Sequence, residues 1–160
     1  MNINAILARD ANGGIGKNND LPWPRNDYDM KWFRENTIGH VVVMGRKTWE
    51  SLGSKKLHKR INYVVTSSNL SGSPDGIYEG DMGYILKDIE KRHEGLKVWV
   101  IGGADIYKQA IRYCDHLYLT EFKKSFDCDT YLDINFEDYF IKMTDNKETE
   151  ECSFSIWSKK

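Results

Sequence analysis

A carboxylate shares one helical face with two aromatic rings in this chain. From about Asp27, just after Leu21-Pro22-Trp23, the sequence takes on helical periodicity. Asp29, Trp32, Phe33 and Asn36 then fall at i, i+3, i+4 and i+7, on one side of the helix. An acid on a buried apolar face is desolvated and keeps its proton to higher pH unless a partner compensates. Such a group can bind a cationic or hydrogen-rich heterocycle and influence its protonation. The structural alternative is that Asn26 or Asp27 caps the helix and Asp29 complements the dipole of its first turn.

Two further segments carry phosphate chemistry. Val41-Val42-Val43-Met44 runs into Gly45-Arg46-Lys47-Thr48, and Val98-Trp99-Val100-Ile101 runs into Gly102-Gly103-Ala104-Asp105. Each reads as a strand, a glycine turn and a helix start, where free backbone N–H groups meet anions and glycine permits close approach. Arg46 and Lys47 add positive charge, Thr48 adds a hydroxyl, and Ser67 and Ser68 close a third strand. Neither turn is the dinucleotide fingerprint or a phosphate-binding loop. Taken alone, either is an ordinary turn. The pair suits a diphosphate held between two helix N-termini, with the extra cations placed for a further phosphate.

These groups must be held by strands and helices that alternate. Ile3 to Ala8, Val41 to Met44, Ile61 to Thr66 and Val98 to Ile101 are short β-branched runs with little polar alternation, as strands covered on both faces require. Helical patterns cover Asp27 to Asn36, Thr48 to Leu52, Tyr84 to Arg92 and Asp105 to Arg112. The expected fold is α/β: a central, mainly parallel sheet of about eight strands flanked by about four helices. His116 to Phe122, Tyr139 to Met143 and Cys152 to Trp157 read as strands without an intervening helix of length. An antiparallel C-terminal edge hairpin should therefore finish the sheet, its turn at Thr144 to Glu148. Ser71 to Gly76 reads as a surface loop. The glycine-rich stretch from Asp10 to Asp20 reads as a lid over the site, tied down by Leu21-Pro22-Trp23 beside Asp29.

The 160 residues are expected to form one domain, and a net charge of −1 gives no footprint for nucleic acid or an anionic membrane. No stretch approaches the ~20 apolar residues of a membrane span, and the first ten residues read as a strand rather than a leader. Cys114, Cys128 and Cys152 are odd in number and scattered, as are His40, His58, His93 and His116. A disulfide framework or metal site is not expected, and a cytoplasmic setting is.

Together, Ile15-Gly16 with Leu21-Pro22-Trp23, Asp29-x-x-Trp32-Phe33, Met44 to Gly53, Val100 to Tyr107, Leu117 to Thr120 and Asp129-Thr130 resemble the dihydrofolate reductase family in order and spacing, end to end. The resemblance implies NADPH-dependent reduction of 7,8-dihydrofolate to tetrahydrofolate and a site that antifolate inhibitors also bind. A monomer is expected because the sequence shows no separate interface element. The resemblance makes Asp29 the acid that binds the pterin's 2-amino group and N3, with Thr120 supporting it by a hydroxyl hydrogen bond and Trp23 placing water near it. Ile6, Leu7, Ala8, Leu21, Met30, Phe33, Ser51, Leu52, Leu57, Ile101 and Tyr107 match the remaining substrate contacts. Arg60 matches the arginine that grips the substrate's α-carboxylate, a two-pronged contact lysine cannot reproduce.

For NADPH the matching positions are Ala8, Ile15, Gly16, Asn19, Gly45, Arg46, Lys47, Thr48, Val65, Thr66 and Ser67, then Ile101, Gly102, Gly103, Ala104, Asp105, Ile106, Tyr107, Gln109 and Thr130. A cis Gly102–Gly103 peptide is implied as well. The chain departs from the family in several places. One extra residue between Trp23 and Asp29 makes Asp27 a competitor for the catalytic assignment, although the Asp-x-x-Trp-Phe spacing selects Asp29. Prolines are missing before Arg60, Asp105 stands in place of a frequent arginine, and Cys128 in place of a frequent glycine. A riboflavin-pathway reductase of the same fold and a non-catalytic nucleotide binder are the rivals; Asp29 and Arg60 together favour folate.

Overall fold

The computed structural model describes residues 2–160, giving only the backbone at 144–146; Met1 of the amino-terminal segment lies outside the described residues. Eight strands form the main sheet: β1 (Ile3–Arg9), β3 (Val41–Gly45), β4 (Ile61–Val65), β5 (Gly76–Tyr78), β6 (Val98–Val100), β7 (His116–Phe122), β9 (Phe140–Glu148) and β10 (Cys152–Lys159). Two further strands, β2 (Gly14–Gly16) and β8 (Thr130–Tyr131), pair with each other. The order across the main sheet is β5-β4-β3-β6-β1-β7-β10-β9. From β5 to β7 every pairing is parallel, and β10 and β9 add the antiparallel edge.

The helices are α1 (Asp27–Thr37), α2 (Arg46–Ser51), α3 (Met82–Arg92) and α4 (Ala104–Ala110). Alternate residues of the central strands feed opposite cores. Ala5, Leu7, Val41, Val43, Val98 and Val100 pack with Ile85 and Leu86 of α3 and with Ile106 and Ala110 of α4. Ile6, Val42, Met44 and Trp99 pack on the other face with Trp49 of α2 and with Trp32 and Phe33 of α1. Continuous apolar strands are the consequence of this two-sided burial.

The hairpin turn differs from expectation. β9 continues through Glu148, and the chain reverses over residues 149–151. Thr149 makes that turn, its N–H donating to Cys152 O at 2.8 Å while its hydroxyl accepts from the Cys152 N–H at 3.1 Å. A polar stretch fits an edge strand, which has a solvated side, as well as it fits a turn. Two register shifts along β10 absorb the extra length. The strands β2, β5 and β8 are too short, at two to three residues, for any periodicity to announce them.

Candidate active site

The carboxyl ends of β1, β3 and β6 open onto two adjoining cavities, as parallel sheets dictate. The larger, of about 700 Å³, lies between these strand ends and α1. Asp29 stands in its wall. Asn26 caps α1 by accepting the Asp29 N–H at 3.0 Å, so the capping role belongs to Asn26. Asp27 is turned outward, its side chain 87% exposed and paired with Arg25 at 3.1 Å. Asp29 is half-buried, and burial raises its pKa above the usual carboxylate range. Thr120, fully buried opposite it, pulls the other way, but its hydroxyl oxygen closes no hydrogen bond of good geometry within the protein.

Trp23 does not line the cavity. It is buried and stacked on Phe122 at 4.4 Å, with its indole N–H unpaired, as is that of Trp32. At the far end of the cavity Arg60 has its Nε donating to His58 O at 2.9 Å and one terminal nitrogen to the Thr37 hydroxyl at 3.1 Å. It also leans over the Phe33 ring at 5.9 Å. Burial and the nearby Arg34 charge both lower its pKa, as two cations with room for an anion between them would. Ile6, Leu7, Ala8, Leu21, Met30, Phe33, Ser51, Leu52, Leu57, Ile101 and Tyr107 complete the walls. Asp20, Arg25, Asp27, Lys31, Trp32 and Arg34 line this cavity too, beyond the residues assigned to substrate from the sequence, and Thr48, assigned to the cofactor, borders it as well. Trp32 was foreshadowed by its place on the Asp29 face, Asp27 as the rival acid and Asp20 as the end of the lid, whereas Arg25, Lys31 and Arg34 sit at positions whose sequence context gives no sign of a cavity.

The second cavity, of about 520 Å³, lies over the two glycine turns. Gly45 caps α2 and Gly103 caps α4, neither with a side-chain acceptor for the first-turn N–H groups. The turns touch: the Gly45 N–H donates to Gly102 O at 2.8 Å, and a Cβ on Gly45 would come within 2.8 Å of Ile106. Gly102 has φ +119, a conformation that glycine adopts freely, and the Gly102–Gly103 peptide is cis. Arg46, Lys47 and Thr48 flank one turn and Asp105 the other, with Val65, Ala104 and Thr130 further along the wall. Arg46 is drawn toward Glu50, with contacts of 2.9 and 3.0 Å. Thr66, Ser67 and Gln109 lie outside both cavities. The Thr66 hydroxyl is turned back to accept from the Ser68 N–H, and Ser67 and Gln109 face solvent. Isolated spacing cannot foresee that only Val65, the last residue of the third strand, reaches the cavity while Thr66 and Ser67 turn away from it.

The 10–20 segment closes the cavity from above. β2 pairs with β8, the Asp129 carboxylate accepts from the Asn18 N–H at 2.9 Å, and the Asn19 side chain donates to Lys47 O at 3.0 Å. Ile15, Gly16 and Asn19 thereby become cavity wall, and Ala8, Leu21, Ile101 and Tyr107 border both cavities. The Tyr107 hydroxyl donates to Ile6 O at 2.7 Å across the boundary.

The donor set fits a nicotinamide dinucleotide: two helix N-termini without internal acceptors, two cations and a hydroxyl around one cavity. Among the described residues no histidine, cysteine and carboxylate group is arranged to hold a metal, and no helix is long and apolar enough to cross a membrane. The cysteines are free thiols.

The family model for dihydrofolate reductase matches residues 2–159. The chain is 34% identical to the dihydrofolate reductase of Haemophilus influenzae over the whole of both sequences. It is 41% identical to that of Bacillus subtilis over 81% of this chain and 74% of that one. Its structure superimposes with a TM-score of 0.83 on dihydrofolate reductase from Enterococcus faecalis complexed with NADP(H) and RAB-propyl, at 27% identity and covering 98% and 95% of the two chains.

Proposed function

The chain belongs to the dihydrofolate reductase family, and from that premise we propose how its residues divide the labour of reducing 7,8-dihydrofolate to tetrahydrofolate with NADPH. The observation that carries the reading is the adjacency of two cavities, one with a desolvated carboxylate in its wall and one with two uncapped helix N-termini. NADPH supplies the hydride that reduces the pterin at C6.

Asp29 binds the pterin's 2-amino group and N3 and, with its raised pKa, keeps a proton close to the reacting ring at higher pH than an ordinary carboxylate could. The unpaired Thr120 hydroxyl and Trp23 indole N–H hold the water that passes between Asp29 and the pterin. Arg60, two of its donors already fixed by the protein, presents the rest of its fork to the substrate's α-carboxylate. Arg34 adds long-range attraction at the same end. Ile6, Phe33, Leu52, Leu57 and Ile101 exclude water from the path between.

Gly45 to Thr48 and Gly103 to Tyr107 hold the dinucleotide's phosphates, Arg46 and Lys47 supply the charge that favours NADPH over NADH, and the 10–20 segment covers the nicotinamide end. Antifolates occupy the Asp29 cavity by the same contacts. The protein works as a single-domain monomer in the cytoplasm, a setting its three unpaired thiols suit. Mixing purified protein with NADPH and dihydrofolate and following the loss of reduced-nicotinamide absorbance tests the activity. NADPH should be used more efficiently than NADH, and oxidation of NADPH only with a ribosyl-pyrimidine would redirect the reading to the riboflavin pathway. Light scattering tests the monomer.

A further inference from the structure

Asp10 is the buried carboxylate that this chemistry leaves unused. It is 3% exposed, yet no cation faces it; four hydrogen-bond donors surround it instead. Oδ1 accepts from the Gly14 N–H at 2.8 Å and the Asn12 N–H at 2.9 Å, both within the 10–20 segment. Oδ2 accepts from the Phe126 N–H at 2.8 Å and the Cys128 thiol at 3.4 Å, both in the connection between β7 and β8. One oxygen thus serves each loop. The next residues along the first loop are Ile15 and Gly16, which form cofactor-cavity wall, and the second loop leads to Thr130 on the same wall.

We propose that Asp10 is a positioning residue for the reaction: its two oxygens clamp the loops together and so hold the covering segment against the dinucleotide. The clamp needs both oxygens to be acceptors. A carboxylate meets that need and a carboxamide cannot, because its NH2 must face the donors of one loop or the other. The geometry also accounts for Gly14, where a Cβ would collide with the Cys128 sulfur and press on Oδ1 of Asp10. The inference rests on the reading of this cavity as the dinucleotide site.

Asp10→Asn keeps the volume and cuts one loop from the clamp. Tryptophan-fluorescence titration of the variant should show NADPH bound about tenfold more weakly, the scale of one lost hydrogen bond to a charged group. Turnover at saturation should fall by a similar factor, while KM for dihydrofolate, set at the Asp29 and Arg60 end, stays put. A variant that melts at lower temperature but keeps the parent's NADPH affinity and turnover overturns the proposal, since Asp10 would then serve stability alone. If the variant does not fold, amide hydrogen exchange in the unmodified protein decides. Gly14 and Phe126 should be protected together and gain protection together when NADPH is added, and independent responses overturn the clamp. Failure of the unmodified protein to bind NADPH overturns the cofactor reading and this inference with it; normal binding that is unaltered in the variant overturns the inference alone.

Discussion

Asp29 and Asp10 are the same side chain in opposite company. Asp29 sits in a cavity wall beside a hydroxyl that closes no bond with it, and burial lifts its pKa. Asp10 is almost shut off from solvent, and burial alone would lift it too. The N–H groups of Phe126, Gly14 and Asn12 and the Cys128 thiol together outweigh that and hold it below the usual range. What separates the acid proposed to react from the structural one is therefore the supply of donors set against desolvation. The reactive one is left incomplete by the protein, ready for a ligand's donors.

The sharpest way to break this comparison is to remove the charge from Asp29. Asp29→Asn should fold and lose about 10²–10⁴-fold in turnover near neutral pH, the range for a positioned acid–base group. Asp27→Asn, whose parent side chain is solvated and paired only with Arg25, should leave the rate close to that of the unmodified protein. Steady-state rates on both variants decide between them. A large loss at Asp27 with little change at Asp29 would move the reactive acid by two residues and dissolve the contrast.

Legibility in the sequence follows the same division. Asp29 was readable because a helix repeats its face every three to four residues, so Trp32 and Phe33 betray the environment of the acid. The glycine turns at Gly45 and Gly102 were readable because they end strands recognisable by their β-branched runs. Asp10 was not, since only the Asn12 and Gly14 N–H groups are its neighbours in sequence, and the other two donors, the Phe126 N–H and the Cys128 thiol, reach it across 116 and 118 positions. No local pattern encodes that. The cations of the Asp29 cavity were half visible: Arg60 came from the family pattern, whereas Arg34 joins the cavity wall only through the placement of α1. The misplaced hairpin turn has a simpler cause, because edge strands and turns share a polar composition.

A smaller effect probes the donor-rich site. Gly14→Ala would push a methyl group into the Cys128 sulfur and against Asp10. Overpacking of this kind costs about 1–3 kcal/mol. Cys128→Gly alone should cost little, since it removes the weakest of the four donors. Combined with Gly14→Ala it should restore most of the lost stability, because the methyl then takes the space of the thiol. Chemical denaturation of the two single variants and the double variant measures the coupling. Simple additivity would mean that the two loops are not packed through this contact.

The smallest effect carries the sign of the comparison itself. A group whose folded pKa is raised, as at Asp29, supports the native state fully below the ordinary carboxylate pKa, and that support is lost as pH rises through the raised value. Asp29→Asn should therefore melt at or above the unmodified protein near neutral pH, with the gap closing as pH falls below about 4, where the carboxyl group takes up its proton in the unfolded chain as well. A group whose folded pKa is depressed, as at Asp10, stabilises above the ordinary value and loses that contribution as pH falls through the lowered one. Asp10→Asn should melt below the unmodified protein near neutral pH, with its deficit shrinking in acid. Each difference of about 1 kcal/mol corresponds to roughly 2–4 °C in a chain of this size. Thermal melts of the three proteins from neutral pH to well below the ordinary carboxylate value should give differences from the unmodified protein of opposite sign, both shrinking in acid. Curves that diverge in the same direction would show that one of the two aspartates has been given the wrong neighbours.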